Sequence, residues 1–316
     1  MFTMNNTLSL TEYFKQWMET FKKPAISSVT YVKYKNTYQH LQQYFGDNEL
    51  SLITRQQYQI ILNRFAETHA KRTTAGFHKQ IRASVLDALD DGYIETDFTR
   101  KAIITGRQIK KQKKMYLSYN EWQTLMKYTF NHCSSNSFNL IIYLSAITGL
   151  RFSEVLGLTV SDIDFQHRLL SINKTWDYKY HTGFQTTKNK SSVRLIDIDT
   201  QTLILLKNVI SDRHLTDLNH RLCIDYTGKT PVSATINRYL EKLCYKLNLP
   251  PISFHGLRHT HASILLFKGV NILSVSKRLG HKDINTTQNV YLHVIKEMEE
   301  RETSLIMQIM NEAMVK

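Results

Sequence analysis

The sequence predicts a mainly α-helical chain with a small β-sheet, divided into an all-helical N-terminal domain and an α+β C-terminal domain. Three observations carry this prediction. Through the first hundred positions apolar residues recur at helical spacing behind capping residues, and no strand pattern competes. Between Arg100 and Lys114 stand seven basic residues and no acidic one, a run that marks a linker. Beyond it, helical stretches are interrupted by short alternating runs.

The elements follow in order. "SLTE" at Ser9 to Glu12 is a capping box, and Leu10, Phe14, Trp17, Met18 and Phe21 share one helical face until Pro24 ends the helix. A second helix runs from Ser28 to Tyr44, stops at Gly46, and is dense in Tyr31, Lys33, Tyr34, Lys35 and Tyr38. A third runs from Thr54 to His69. The fourth, Thr73 to Asp90, opens behind the basic "KRTT" of Lys71 and Arg72 and is followed by Gly92. These four helices make a domain over 1–102. The linker is placed at 103–115 and carries Lys110, Lys111, Lys113 and Lys114. Such a tether is solvated, and it is also suited to lie along a phosphate backbone.

The second domain, 116–316, opens with another capping box, "SYNE" at Ser118 to Glu121. Helices are expected over 119–131, 137–147 and 151–157. The run "RLLSIN" follows, and then "GFQTTK" and "SVRLIDI". The last two are expected to pair as a hairpin across "NKSS", with Lys188 and Lys190 near its tip. Further helices are expected over 200–211 and 234–247, from Ser253 to Gly269, from Asn271 to Gly280, and from Asn285 through Tyr291. The tail to Lys316 reads as helical too.

Composition narrows the function classes. The hydrophobic fraction is 42%, enough for real cores in a chain of 316 residues and too high for a disordered one. The formal charge of +14 favours polyanionic partners. Both halves contribute: 18 basic residues against 10 acidic before residue 116, and 23 against 17 from there on. Cys133, Cys223 and Cys244 are widely spaced and form no CxxC pair, so they read as reduced, buried thiols of a cytosolic protein. The opening "MFTMNNTLSL" lacks a basic start followed by an apolar run, and "FNLIIYLSAITGL" is too short to span a bilayer, so a cytoplasmic location without membrane contact is expected.

Four stretches can carry chemistry. In "TGLRFSEVLGL", Arg151 and Glu154 are three apart on a helical turn among apolar residues. On a surface this is an ordinary ion pair; in an apolar setting it is a preorganised anion receptor. In "SFHGLRHTHAS", His255 and Arg258 stand on the first turn of a helix capped by Ser253, where phosphate oxygens are favoured. His259 and His261 invite a metal reading, but without HExxH, cysteine ligands or many carboxylates nearby they read as local packing or capping residues. In "RLGHKDINTTQNVYLHV", Gly280 turns the chain and presents His281 ten residues before Tyr291. Alone, Tyr291 would be a core tyrosine and Lys188 a solvated edge charge.

Together they describe one chemistry. Two arginines can neutralise the non-bridging oxygens of a phosphodiester as it becomes pentacoordinate. Histidines can hydrogen-bond it or shuttle a proton, a lysine can protonate a leaving alkoxide, and a tyrosine can attack as covalent nucleophile. No metal or other cofactor is needed, because the cations are side chains.

The order "TGLR..E", lysine hairpin, "HGLRHTHAS", "LGH", "Y" resembles the tyrosine recombinases, the phage integrase family. The likeness covers about 116 to 295 and is nearest to integrases of Gram-positive phages and conjugative transposons, whose tyrosine also stands ten residues after the histidine. It implies Arg151 and Arg258 as the arginine pair, Lys188 as the hairpin lysine, His255 and His281 as the two histidines, Tyr291 as the nucleophile and Glu154 as the support of Arg151. It implies that the N-terminal helices are a SAM-like core-binding domain that closes a clamp on duplex DNA. Lys33, Lys35, Lys71, Arg72 and the linker lysines are its expected DNA contacts. A small arm-binding domain, frequent ahead of such helices, is expected to be absent or removed here.

The implied function is site-specific recombination for a mobile element, integrating and excising DNA through a 3′-phosphotyrosine without ATP. The implied partners are double-stranded DNA core sites, three further copies of the chain joined through the C-terminal helix, and accessory excision or bending proteins, in a nucleoid-associated assembly of a bacterial host. In the tail, Leu305, Ile306, Ile309, Met310 and Ala313 form an apolar stripe that either packs on its own domain or docks on a neighbour. Competing readings are a chromosome-dimer resolvase of the same chemistry, a type IB topoisomerase, a DNA-binding regulator without catalysis, and a metal-dependent nuclease using the histidine cluster.

Overall fold

The computed structural model describes residues 8–108, 115–134, 136–187, 189–217, 219–224, 229–285, 287–288, 291, 306–307 and 310–312. The chain forms two compact units, Met1–Lys111 and Gln112–Lys316.

The first unit is built on α1 (Leu10–Trp17), α2 (Ser28–Tyr44), α3 (Arg55–Thr68) and α4 (Lys71–Asp90). The Ser9 capping box forms: the Ser9 hydroxyl accepts from the Glu12 amide and the Glu12 carboxylate accepts from the Ser9 amide. Thr54 and Gln57 cap α3 in the same way. The core gathers Leu10, Phe14, Trp17, Leu41, Tyr58, Leu62, Phe65, Phe77, Ile81 and Val85 from all four helices.

Three expectations are corrected in this unit. Phe21, read as part of the buried face of α1, is 52% exposed. The helix widens into a π turn over Met18–Lys22, and the extra residue per turn rotates Phe21 away from the core. Residues 103–107, read as the start of a linker, are tied to the helices. The Ile103 amide donates to Gln59 at 2.8 Å, Gln59 donates back to the Ile103 carbonyl at 2.9 Å, and the Arg107 amide donates to the His69 carbonyl at 2.8 Å. The fourth helix also begins two residues earlier than its threonines suggest, at Lys71.

The second unit is arranged around α6 (Ser137–Thr148), an almost wholly buried helix whose apolar residues face outward on all sides. Around it pack α5 (Tyr119–Asn131), α9 (Ser233–Lys246) and α10 (Phe254–Phe267), and the unit also contains α7 (Phe152–Gly157), α8 (Thr200–Asp212) and α11 (Ile272–Leu279). The capping box at Ser118 forms, and Leu117 just before it is buried with its amide on the Thr260 hydroxyl at 2.9 Å. All three cysteines are free and buried.

The strands correct the expected hairpin. β1 (Ile163–Asp164), β2 (Leu169–Ile172) and β5 (Arg194–Asp197) form one antiparallel sheet, while β3 (Lys174–Asp177) and β4 (Gly183–Thr186) form a separate ribbon. "GFQT" therefore pairs with "KTWD", and "RLID" pairs with "LLSI". The cause is tertiary: α7 lies against β3, with Gly157 so close that a Cβ there would stand 3.0 Å from the Thr175 backbone. Ile172 pairs with Arg194 and Lys174 with Thr186, so the single residue Asn173 is opposed by the whole stretch 187–193. The expected hairpin between "GFQTTK" and "SVRLIDI" does not form; Lys188, expected near its tip, lies outside the described residues. Its neighbours are held locally, with the Thr187 hydroxyl on the Asn189 carbonyl at 3.1 Å and the Ser192 amide on the same carbonyl at 2.9 Å.

Candidate active site

Three turns bring the chemistry-bearing residues of the second unit together. The first follows α6. Gly149 ends that helix at φ +73°, and its hydrogen leaves room that a Cβ would not have, 2.8 Å from both the His261 ring and Leu279. The chain then delivers Arg151 as the N-cap of α7. Its Nη1 donates to Glu154 at 2.7 Å, its amide donates to the other carboxylate oxygen at 3.0 Å, and one third of the side chain remains exposed (33%). The sequence left open a surface ion pair or a receptor in an apolar setting, and Glu154 decides between them because it is only 2% exposed.

Burial alone would raise the Glu154 carboxyl. The Arg194 guanidinium first, and Arg151 next, reverse this and hold it below the usual carboxylate range. Arg194 donates to it from Nη2 at 3.0 Å. Sequence reasoning missed Arg194, although the signal was present. In "SVRLIDI", Arg194 shares the inward face with Ile196 and Ile198, and an arginine on the apolar side of a strand needs a buried acceptor.

The second turn leads into α10, where the Ser253 hydroxyl accepts from the Gly256 amide. Arg258 is 3% exposed and donates to the Gly149 and Leu279 carbonyls, both at 2.7 Å. It thus staples the turn before Arg151 to the turn before His281. Burial, with Arg151 adding to it, lowers its pKa to about 9, which leaves it a cation at neutral pH. His255 has an exposed edge, and partial burial of the ring, then Arg258 and Arg151, lower its pKa.

The third turn is Gly280, in the left-handed region at φ +68°. It delivers His281, whose Nδ1 lies 2.8 Å from the Thr287 hydroxyl. Burial first, then the charges of Arg258, Arg151 and Arg194, push its pKa down to about 4, so the ring is neutral at pH 7. Asp283 caps the next helix by accepting from the Asn285 amide at 2.9 Å, one turn position earlier than the expected start at Asn285.

Tyr291, itself helical, is 2% exposed and packs with Ala262, Leu266, Val275 and Leu279. Burial pushes its phenol up to about 12, and the Arg258 charge offsets part of that. Its hydroxyl lies 3.0 Å from Nδ1 of His259. This corrects the reading of His259 as a local packing or capping residue: it is the partner of the tyrosine. The signal was the spacing from His255, four residues on, which puts both imidazoles on one face with centroids 4.7 Å apart. His261 does pack locally. It is buried, accepts from Arg278 Nε at 3.0 Å, and burial together with Arg278 pulls its pKa to about 3. Among the described residues no three His, Cys, Asp or Glu side chains converge as a metal site would need.

The other sequence-derived DNA contacts divide in two. Lys33, Lys35, Lys71 and Arg72 are exposed on α2 and at the start of α4. Lys110, Lys111, Lys113 and Lys114 lie outside the described residues, as do Leu305, Ile309 and Ala313 of the tail stripe; Ile306 and Met310 are exposed. Among the described residues no helix is long and apolar enough to cross a membrane.

Residues 115–298 match the model of the phage integrase family, and residues 9–66 match the N-terminal SAM-like domain of phage integrases. A tyrosine recombinase XerC-like protein of Caldanaerobacter subterraneus subsp. tengcongensis is 25% identical over 91% of this chain and 80% of its own. The integrase of Staphylococcus phage L54a is 31% identical over 50% of this chain and 48% of its own. In fold, the Tn1549 transposon integrase solved in complex with transposon right end DNA superposes with a TM-score of 0.75 at 18% identity, covering 93% of this chain and 99% of that one. A family match across the whole region that holds Arg151, Glu154, Arg258, His281 and Tyr291 leaves one assignment: the chain belongs to the phage integrase family, the tyrosine recombinases that cut and rejoin DNA.

Proposed function

We propose that this recombinase integrates and excises a mobile element, with Tyr291 attacking a scissile phosphate to give a 3′-phosphotyrosine and a free 5′-hydroxyl. The 5′-hydroxyl of a partner strand then attacks that phosphotyrosine, so the phosphodiester is remade without ATP. The observation that carries the assignment is the placement of Tyr291: a neutral phenol on His259, within the field of Arg258, beside the turn of His281. In this reading His259 receives the phenolic proton, Arg151 and Arg258 offset charge on the non-bridging oxygens, and His255 and His281 hydrogen-bond the phosphate. Lys188 protonates the leaving 5′-oxygen, and Glu154 holds Arg151. Each role is filled by a side chain of this unit, so no metal is invoked.

The exposed Lys33, Lys35, Lys71 and Arg72, with the basic run through Lys114, are proposed to hold the duplex backbone, and the two units to close on it from opposite sides. Assembly as a homotetramer through the C-terminal helix, help from accessory excision or bending proteins, and a cytoplasmic, nucleoid-associated location complete the proposal. The basic charge of both halves supports the grip on DNA, and the exposed apolar tail residues Ile306 and Met310 support the contact between copies.

The test is a suicide substrate carrying the element's core site. The wild-type chain should form a covalent protein–DNA adduct that persists in excess EDTA. Tyr291→Phe should form none while binding the DNA normally. An adduct that survives Tyr291→Phe, or one that requires added zinc or magnesium, refutes the assignment.

A further inference from the structure

Among the described residues of the second unit Arg194 donates the most side-chain hydrogen bonds of any cation, and none of the proposed roles uses it. Its side chain is 7% exposed. Nη2 donates to Glu154 Oε2 at 3.0 Å and Nη1 to Glu154 Oε1 at 3.4 Å. Nη1 also donates to the Ser192 carbonyl at 2.8 Å, and Nε donates to the Arg278 carbonyl at 2.7 Å. Three segments far apart in the chain therefore converge on one guanidinium. They are the Arg151–Glu154 turn, the excursion that contains Lys188, and the turn that presents His281. The approach is tight. A Cβ on Gly280 would stand 2.9 Å from Arg194 Nη1 and 3.1 Å from the Ser191 carbonyl, so glycine is required there for the contact as well as for its positive φ.

Only a guanidinium meets this demand. Its planar fork directs donors to a carboxylate on one side and to two carbonyls on the others, whereas an ammonium is a compact point charge. All three of its nitrogens donate to protein acceptors, so Arg194 acts through the groups it holds.

We propose that Arg194 is a positioning residue for strand cleavage. It fixes Arg151, the His281 turn and the Lys188 excursion relative to one another, and acts on DNA only through them. This rests on the assignment of Lys188 as general acid and Tyr291 as nucleophile.

The test uses the whole 316-residue chain with Arg194→Lys and, separately, Gly280→Ala, which keeps the arginine but crowds its guanidinium. Adduct formation is timed on the ordinary suicide substrate and on one with a bridging sulfur at the 5′-leaving position, which departs without a proton. DNA affinity and melting temperature are measured alongside. Both variants should still fold and bind DNA, with a lower melting temperature for Gly280→Ala because its backbone is left-handed. On the ordinary substrate adduct formation should fall about a hundredfold, the cost of a displacement of roughly 1 Å in catalytic groups. On the sulfur substrate the loss should be at least about tenfold smaller, because the share of general-acid catalysis, roughly 100-fold or more, is no longer needed. A folded Arg194→Lys that cleaves at the wild-type rate overturns the proposal. So does an equal loss on both substrates, or a failure of both variants to fold, which would make the role purely structural. If the wild-type chain itself forms no adduct, the recombinase assignment fails instead.

Discussion

A carboxylate that is 2% exposed between two guanidiniums makes Glu154 the most constrained acid of the site. Glu154→Gln keeps the shape and part of the hydrogen bonding but leaves Arg151 and Arg194 facing each other without a counter-charge. Removing one partner from a buried charge pair costs about 3–5 kcal/mol. Urea titration should show a loss of that order, with slower adduct formation because Arg151 loses its brace. The histidines give a second expectation. His281 at about 4 and His261 at about 3 both lie below the ordinary 6.5. Both are neutral in the fold and take up protons on unfolding. Their contribution to stability is therefore complete above about pH 6.5 and is lost as the pH falls through the folded values. The depressed Glu154 adds a loss of the same sign lower down, below the ordinary 4.5. Calorimetry across this range should show the melting temperature of the second unit falling below pH 6.5; a flat profile down to about pH 5 would contradict buried neutral imidazoles.

At the scale of elements, the site is made by glycine-ended helices, and each glycine can be tested by what surrounds it. Gly149→Ala must take up a left-handed backbone at φ +73° and place a methyl 2.8 Å from the His261 ring and from Leu279. Left-handed strain of about 1–2 kcal/mol plus overpacking of about 1–3 kcal/mol should sum to a loss of several kcal/mol in denaturant titration. Gly46→Ala in the first unit is the control. Its φ is +53° but nothing lies within 4 Å of the new methyl, so only the backbone strain of about 1 kcal/mol remains. Similar losses at the two positions would mean that the packing of α6 against α10 and α11 does not confine the Arg151 turn.

At the scale of the molecule, positive charge is spread over both units, and binding should report it. With 18 basic against 10 acidic residues before position 116 and 23 against 17 from there on, DNA affinity should fall steeply with salt, by about 0.9 in log–log slope for each phosphate neutralised. Deleting 1–110 should lower both the affinity and that slope; equal affinity for the remaining fragment would end the idea of a two-sided grip. Deleting 303–316 should spare binding to a single site and impair recombination between two. Full recombination without the tail would remove it as a contact between copies.

The sequence by itself determined the helices, their caps and most of the residues proposed for the site. Capping boxes at Ser9 and Ser118 and glycine stops at Gly149 and Gly280 are local codes, satisfied within a few residues, so they are legible one turn at a time. Arg151, Glu154, Arg258 and His281 were legible as candidates because each stands on or just after such a turn, whereas Tyr291 was singled out by the order of the motifs and not by its own surroundings. The tertiary structure decided what depends on distant partners. "GFQT" pairs with "KTWD" because α7 lies on β3. His259 meets Tyr291 across 32 residues and Arg194 meets Glu154 across 40. A strand's alternation states which side of a residue is buried, and a helix's spacing states which residues share a face. Neither states what waits on the other side, because that is set by packing between segments whose separation in sequence carries no local signal.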